Sequence, residues 1–264
     1  MYSDAFCKVY NEFGWNYFPE AFGEELMVWI RQHQAKICTS LDLACGTGIL
    51  CEVLYKNGIQ AAGMDFSEGM IEIARSSNPA IAYEVADMIT YRPDQKFDLV
   101  TCTGDALNHI IDLKNVEKIF QNVYAYLSEG GYFIFDILNE KEVSFGEPID
   151  LDFSDTVKAQ FMITQDQEGM IRLKTTVFEC VEGSAVKAEE PTKQNAEEQM
   201  AEQQAADSLK WEKKFEEIIT ETVHDVDKIL EMLTGCGFHI QKCGHSLLDE
   251  KDTQATTWYI IARK

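Results

Sequence analysis

Positive charge is what this sequence has least of: 23 lysine plus arginine residues stand against 45 aspartate plus glutamate, a formal net charge of −22 over 264 residues. A field of that sign repels phosphate backbones and anionic lipid surfaces, so neither nucleic acid nor a membrane is an expected partner. Long apolar runs are also missing. The uninterrupted ones reach only a few residues, far short of the ~20 that cross a bilayer. Asp4, Lys8 and Glu12 interrupt the start of the chain where a signal peptide would need an apolar stretch, and the expected location is the cytoplasm. The eight cysteines (7, 38, 45, 51, 102, 180, 236 and 243) form no CxxC pair and no cluster with histidine. Neither a metal site nor a disulfide framework is expected from them, and buried reduced thiols are.

What is present is a balanced globular composition, 45% hydrophobic and 26% charged, long enough for one main core with an insertion. From Thr39 to Ile137 strand-like apolar runs alternate with amphipathic stretches, the pattern of a parallel sheet covered by helices. Strands are expected at 39–44, 60–65, 81–85, 97–101 and 132–137. One helix carries Ile49, Val53 and Leu54; another is capped by Ser67 and buries Met70, Ile71 and Ala74; a third runs from Asp112 to Leu127 and stops at Gly130-Gly131. Beyond Asn139 the period becomes two, with Val157, Ala159, Phe161 and Ile163 facing one way and Ile171, Leu173, Thr175 and Val177 following after a turn at 166–169. Residues 184–208, rich in Ala, Glu and Gln, have no apolar stripe and read as a flexible acidic segment, a loop or a weakly held helix. A strand at 215–223, a helix at 225–233 ending at Gly235-Cys236-Gly237, and strands at 238–243 and 257–262 complete the chain. The organisation expected is an N-terminal aromatic helical cap (1–38), a main domain (39–140 and 224–264) and an antiparallel lid (141–223).

Chemistry concentrates in Leu41-Asp42-Leu43-Ala44-Cys45-Gly46-Thr47-Gly48-Ile49-Leu50, where a strand enters a glycine turn and then a helix. Glycines there permit positive φ and let a ligand lie against bare backbone. A dinucleotide fingerprint would need a third glycine where Cys51 stands, which weighs against a nicotinamide oxidoreductase. Asp65, 19 positions after Gly46 at the end of the second strand, can accept from the vicinal hydroxyls of a ribose. Asp87-Met88 after the third strand can accept from an adenine amine while the thioether packs on the ring.

These residues resemble the class I S-adenosylmethionine-dependent methyltransferases, through LDLACGTG, GMDFSEGMIEIAR, ADM, FDLVTCTGDALNHI, LSEGGYFIFDI, GCGFHI and TTWYIIARK. The resemblance implies an α/β fold with a Rossmann-like, mostly parallel sheet, an antiparallel C-terminal strand and an antiparallel β insertion after the fifth strand. It implies S-adenosyl-L-methionine as cofactor, with Asp42, Ala44, Gly46 and Gly48 lining the methionine part, Asp65 on the ribose, and Asp87 with Met88 framing adenine. Tyr10, Phe66, Met70 and Thr103 join the implied cofactor contacts. Ala44 departs from the glycine many members carry.

Within the family the nearest likeness is to small-molecule methyltransferases acting on amino sugars or glycine-like amines. The implied acceptor is therefore a small molecule, methylated at an amine nitrogen, by a monomer or homodimer. An aromatic cap of Tyr2, Phe6, Tyr10, Trp15, Tyr17 and Phe18 would wall the sulfonium from water. His109, with Asp105 in Gly104-Asp105-Ala106-Leu107-Asn108-His109 after the fourth strand, is the candidate general base, and Tyr10 is the second candidate catalytic residue. His33, His224, His239 and His245 are expected to be solvated surface residues. The competing reading is a non-catalytic sensor or assembly protein that keeps the nucleoside pocket.

Overall fold

A computed structural model describes residues 2–139, 146–154, 156–166, 170–182, 210–248 and 257–264. Two N-terminal helices, α1 (Asp4–Val9) and α2 (Tyr17–Gln32), precede the alternating elements β1 (Thr39–Leu43), α3 (Ile49–Lys56), β2 (Gln60–Asp65), α4 (Glu68–Ser77) and β3 (Ala82–Val85). Next come β4 (Phe97–Cys102), a 3-10 turn (Ala106–His109), α5 (Leu113–Tyr126) and β5 (Leu127–Leu138). Strands β6 (Ile149–Ser154), β7 (Val157–Gln165), β8 (Met170–Glu182) and β9 (Lys210–Thr222) lead to α6 (Val226–Gly235), β10 (His239–Gly244) and β11 (Thr257–Arg263).

Seven strands form one sheet in the order β10-β11-β5-β4-β1-β2-β3. Pairing is parallel from β3 through β5, and β11 is antiparallel to both β5 and β10. This is the Rossmann-like arrangement, and it puts the strand-order reversal between β1 and β4, where such sheets open a crevice at their carboxyl ends. A separate four-stranded sheet, β6-β7-β8-β9, follows the fifth strand, with β6 and β7 antiparallel. The chain divides into two compact units, Met1–Ser144 with Gln165–Ile171 and Thr220–Lys264, and Phe145–Thr164 with Arg172–Ile219.

Local chemistry sets the helix starts. Ser67 accepts from the Met70 N–H, Asp112 from Lys114, and Asp225 from Asp227 and Lys228, each satisfying orphan donors at a helix N-terminus. One side of the main sheet buries Val116, Ile119, Phe120 and Val123 of α5 against Phe133 and Phe135 of β5, together with Ile229 and Leu233 of α6. The other buries Leu26 and Trp29 of α2, Leu50 and Leu54 of α3, and Ile71 and Ala74 of α4.

Several expectations need correction. The Gly130-Gly131 pair does not stop α5: the helix ends at Tyr126, and Leu127 already begins β5. Gly130 lies inside that strand at φ +76, beside a shift in register against β4, so the glycines accommodate an irregularity rather than a helix end. Of the expected α3 stripe Leu54 is buried, but Ile49 and Val53 are only half-buried, and Leu50 and Cys51 complete the buried face in their place. Strand β6 was not anticipated, since most of its side chains are exposed and its apolar alternation marks no buried face. His224 is buried rather than solvated. Cys7, Cys45, Cys51 and Cys102 are buried, while Cys38 is exposed. The acidic segment 184–208 and the turn residues 167–169 lie outside the described residues. No helix among the described residues is long and apolar enough to cross a membrane.

Phe120 is fully buried and meets Phe133 edge-on at 5.9 Å and Phe135 at 5.6 Å. Phe120→Ala should destabilise the fold by about 3–5 kcal/mol, seen as a lower midpoint in urea unfolding with an unchanged m-value.

Candidate functional site

The site is built where β1, β2 and β4 end. At the end of β1 the backbone turns through three left-handed residues, Ala44 (φ +55), Gly46 (φ +55) and Gly48 (φ +83). Glycine is indispensable at 48, where a Cβ would fall 2.5 Å from the Tyr83 hydroxyl oxygen. At Gly46 a Cβ would meet nothing within 4 Å, so that backbone faces open space. Ala44 holds a conformation that costs an L-residue roughly 1–2 kcal/mol and glycine almost nothing.

Asp65 ties this turn to the next helix. Its carboxylate accepts from the Gly46 N–H at 2.9 Å and from the Ser67 N–H at 2.8 Å. Burial raises its pKa despite these bonds, which pull the other way. Beside it Phe66 is 55% exposed, whereas Met70 is fully buried and turned into the core. Asp87 accepts from the Ile89 N–H at 2.8 Å, and half-buried Met88 packs on the main core. Asp42 lies beneath the turn, fully enclosed, accepting from the Thr101 hydroxyl at 2.7 Å; burial pushes its pKa up to about 7. Thr103 is half-buried just beyond β4.

The N-terminal segment packs on the same edge. Thr47 donates its hydroxyl to Asn11 Oδ1 at 2.8 Å, and the Cys7 thiol lies 3.6 Å from the Ser67 hydroxyl. Tyr2, Phe6, Tyr10 and Trp15 stack into one aromatic cluster, joined by Phe13. Tyr17 and Phe18 stay outside it: both start α2, where Tyr17 is 72% exposed and Phe18 stacks on Phe22 instead. Tyr10 is pushed up to about 12 by burial, with the negative charge of Asp65 and Asp105 adding to the effect.

After β4 the chain makes another left-handed pair, Gly104 (φ +72) and Asp105 (φ +58). Asp136, near the C-terminal end of β5, holds both residues by accepting from their N–H groups at 3.0 and 2.9 Å. Burial raises Asp105 to about 6 and drives Asp136 well above the carboxylate range. His109 follows, with Nδ1 3.3 Å from the Thr220 carbonyl oxygen and Nε2 3.7 Å from Glu221 Oε1. Burial lowers the His109 pKa, and it raises Glu221 to about 7 with Asp105 adding to the rise. Tyr2 meets the imidazole edge-on at 6.4 Å.

Of the residues expected from sequence, Tyr10, Asp65, Asp105 and His109 therefore gather around one region, with the glycine turn alongside. Asp136, Glu221 and Asn11 were missed. Asp136 had a signal, a lone acid inside Phe133-Ile134-Phe135-Asp136-Ile137-Leu138. Glu221 had none, because 111 positions of chain separate Thr220 from His109.

Residues 41–131 match the family model described as a methyltransferase domain. A provisionally named methyltransferase of Geobacillus is 31% identical over 134 residues, which are 49% of this chain and 53% of that one. Another, from Bacillus subtilis, is 25% identical over 100% of this chain and 98% of its own. A ubiquinone biosynthesis O-methyltransferase of Coxiella burnetii is 33% identical over 104 residues, 38% of this chain and 43% of that one. The chain thus spans about half the length of the first and third of these and nearly all of the second. Among solved structures, an S-adenosylmethionine-dependent methyltransferase from Clostridium acetobutylicum has a TM-score of 0.72 at 21% identity, covering 92% of this chain and 90% of its own. The sugar N-methyltransferase KedS8 from Streptoalloteichus has a TM-score of 0.69 at 16% identity, covering 93% and 88%. At these identities the two structures share the fold.

The raised carboxyl pKa values have a stability consequence. A carboxyl group whose pKa is higher folded than unfolded holds a proton the unfolded chain releases, so its contribution is full below about pH 4 and is lost as pH rises towards the folded pKa. For Asp42 that window runs from about 4 to about 7. The protein without ligand should melt at a higher temperature at pH 5.5 than at pH 8. Asp42→Asn, which keeps an acceptor for Thr101, should flatten that difference in differential scanning calorimetry.

Proposed function

We propose that this chain, with its methyltransferase domain at residues 41–131, transfers a methyl group from S-adenosylmethionine to the nitrogen of a small amine. The observation that carries the reading is the Asp65 carboxylate at the end of β2, bonded to the open backbone of Gly46. The residues fit such a cofactor. A turn whose Gly46 backbone faces open space suits the methionine part, along Asp42, Ala44 and Gly48. Asp65 gives one lone pair to each of two N–H groups and retains others for ribose hydroxyls. Exposed Phe66 and Val85 offer apolar surface for adenine near Asp87 and Met88, and Tyr10 and Thr103 border the same edge.

When bound, S-adenosylmethionine supplies a methyl carbon already activated by positive sulfur. The chain's own work is then alignment, exclusion of water and placement of charge. The Tyr2, Phe6, Tyr10 and Trp15 cluster excludes water. In their ionised forms Asp65, Asp105 and Glu221 favour a neutral or cationic acceptor over a polyanion. Burial lowers the His109 pKa and so favours the neutral imidazole. A carbonyl can only accept, so His109 Nδ1 carries the proton towards Thr220 and Nε2 keeps a lone pair for the proton an amine sheds.

Isothermal calorimetry should detect binding of S-adenosylmethionine and of its demethylated product; binding of NADH in their place would overturn the reading. Asp65→Ala should weaken cofactor binding by about 1.5–3 kcal/mol, roughly tenfold to a hundredfold, with circular dichroism unchanged. His109→Ala should lower turnover only modestly if the acceptor is an amine that arrives unprotonated, and on the order of 100-fold or more if it is a hydroxyl.

A further inference from the structure

The His109–Glu221 pair lies within ion-pair distance for a protonated imidazole, but with His109 neutral it has no direct bond between its two members. Its 3.7 Å separation is too long for a direct hydrogen bond. With Nδ1–H directed at the Thr220 carbonyl, Nε2 presents a lone pair, and the facing Glu221 carboxyl, which burial raises to about 7, presents only lone pairs once it is ionised. In that form two acceptors face each other with no hydrogen bond between them.

The surrounding chain holds them so. Asn108 donates Nδ2–H to the Thr222 carbonyl at 2.7 Å and accepts the Leu138 N–H at 3.1 Å. His224 donates Nε2–H to the Leu107 carbonyl at 3.1 Å. These bonds stitch the 3-10 turn that carries His109 to the segment that carries Glu221, so the gap is a property of backbone placement rather than of two free side chains. The other groups acting on His109 are Tyr2, Asp65 and the amino terminus, whose positive charge adds to the lowering of the imidazole pKa, and Asp105 acts on Glu221.

We propose that His109 Nε2 and Glu221 Oε1 form a two-point acceptor for a nitrogen bearing two hydrogens, which makes Glu221 the residue that selects an amine over an alcohol. The inference rests on the methyl-transfer reading and extends it to the acceptor. A nitrogen about 2.9 Å from each atom sees them about 80° apart, within the bend that two N–H bonds tolerate. A hydroxyl has one hydrogen and leaves one acceptor unpaired, which disfavours it about tenfold or more. The proton balance follows from the same geometry. A neutral amine donates one N–H to each atom and keeps its lone pair clear of both. That lone pair forms the N–CH3 bond as the S–CH3 bond breaks and its electron pair remains on sulfur; the methylated ammonium then gives one proton to Nε2, its N–H bond breaking as an Nε2–H bond forms.

The test uses the full chain, labelled with 15N and saturated with S-adenosylhomocysteine, with the His109 Nε2 resonance followed as small probes are added. Propylamine should shift that resonance and saturate at a concentration at least tenfold lower than 1-propanol does. Propyltrimethylammonium, which has the charge and no N–H, should bind at least tenfold more weakly than propylamine. In Glu221→Gln the amide can itself donate to Nε2, so propylamine affinity should fall about tenfold to a hundredfold while the S-adenosylhomocysteine affinity stays unchanged. Glu221→Asp, which keeps the charge but withdraws it, serves the same purpose if the glutamine variant fails to fold. Equal binding of the quaternary probe, or unchanged propylamine affinity in both variants, overturns the role of Glu221 and leaves the methyl-transfer reading standing. Failure of S-adenosylhomocysteine to bind the unmodified chain overturns both.

Discussion

The bond from the Gly46 N–H to Asp65 joins two parts of the chain that neither could position alone. It works beside the backbone bond from the Cys45 N–H to the Met64 carbonyl at 2.9 Å, which also ties the exit of β1 to the end of β2. The other oxygen of the same carboxylate receives the first N–H of the following helix region, at Ser67. One side chain thus sets the exit of β1, the exit of β2 and the entry to α4. The N-terminal segment then builds on that arrangement, with Asn11 meeting Thr47 of the turn and Cys7 meeting the capping hydroxyl of Ser67. Asp136 repeats the device one strand away, holding the left-handed backbone of Gly104 and Asp105 from beneath.

These acids are enclosed, and enclosure is what distinguishes them from the many carboxylates on the surface. A solvated carboxylate such as Glu216 pairs with Lys174 and Lys213 and has its pKa lowered. Asp42, Asp65, Asp105, Asp136 and Glu221 all shift the other way, because burial disfavours their charged forms more than nearby donors favour them. Charge density alone therefore says little about where chemistry occurs in a chain with a net charge of −22. The direction of the pKa shift says more.

The parallel sheet was legible because each strand from β1 to β4 is a short apolar run bounded by punctuation such as Asn57-Gly58 or the Ser67 cap. Asp65 was legible for a related reason, since its place at a strand end follows from local spacing to Gly46. The extent of β5 was not, because the Gly130-Gly131 pair looks like a terminator when read locally and only its pairing with β4 and β11 reveals a strand. Glu221 was illegible for the opposite reason. It lies among several glutamates in β9, and its partner is brought to it by tertiary packing rather than by any sequence pattern. His224 was misjudged similarly: a histidine before a helix looks solvated until the carbonyl of Leu107 is seen to receive its Nε2–H.

The position of β11 in the main sheet has a consequence for how the protein is made. Strands β1 to β5 all belong to the first 138 residues, yet the outer edge of β5 is covered only by β11, pairing Leu138 with Thr257 through to Tyr132 with Arg263. During synthesis, at roughly 5–20 residues per second, that edge waits on the order of ten seconds for its partner. Its inner segment, Phe133-Ile134-Phe135 and Ile137, is strongly apolar, and an unpaired edge of that composition invites pairing between nascent chains. Asp136 interrupts the run at its centre, so the residue that later holds the loop after β4 also acts as a gatekeeper while the sheet is incomplete.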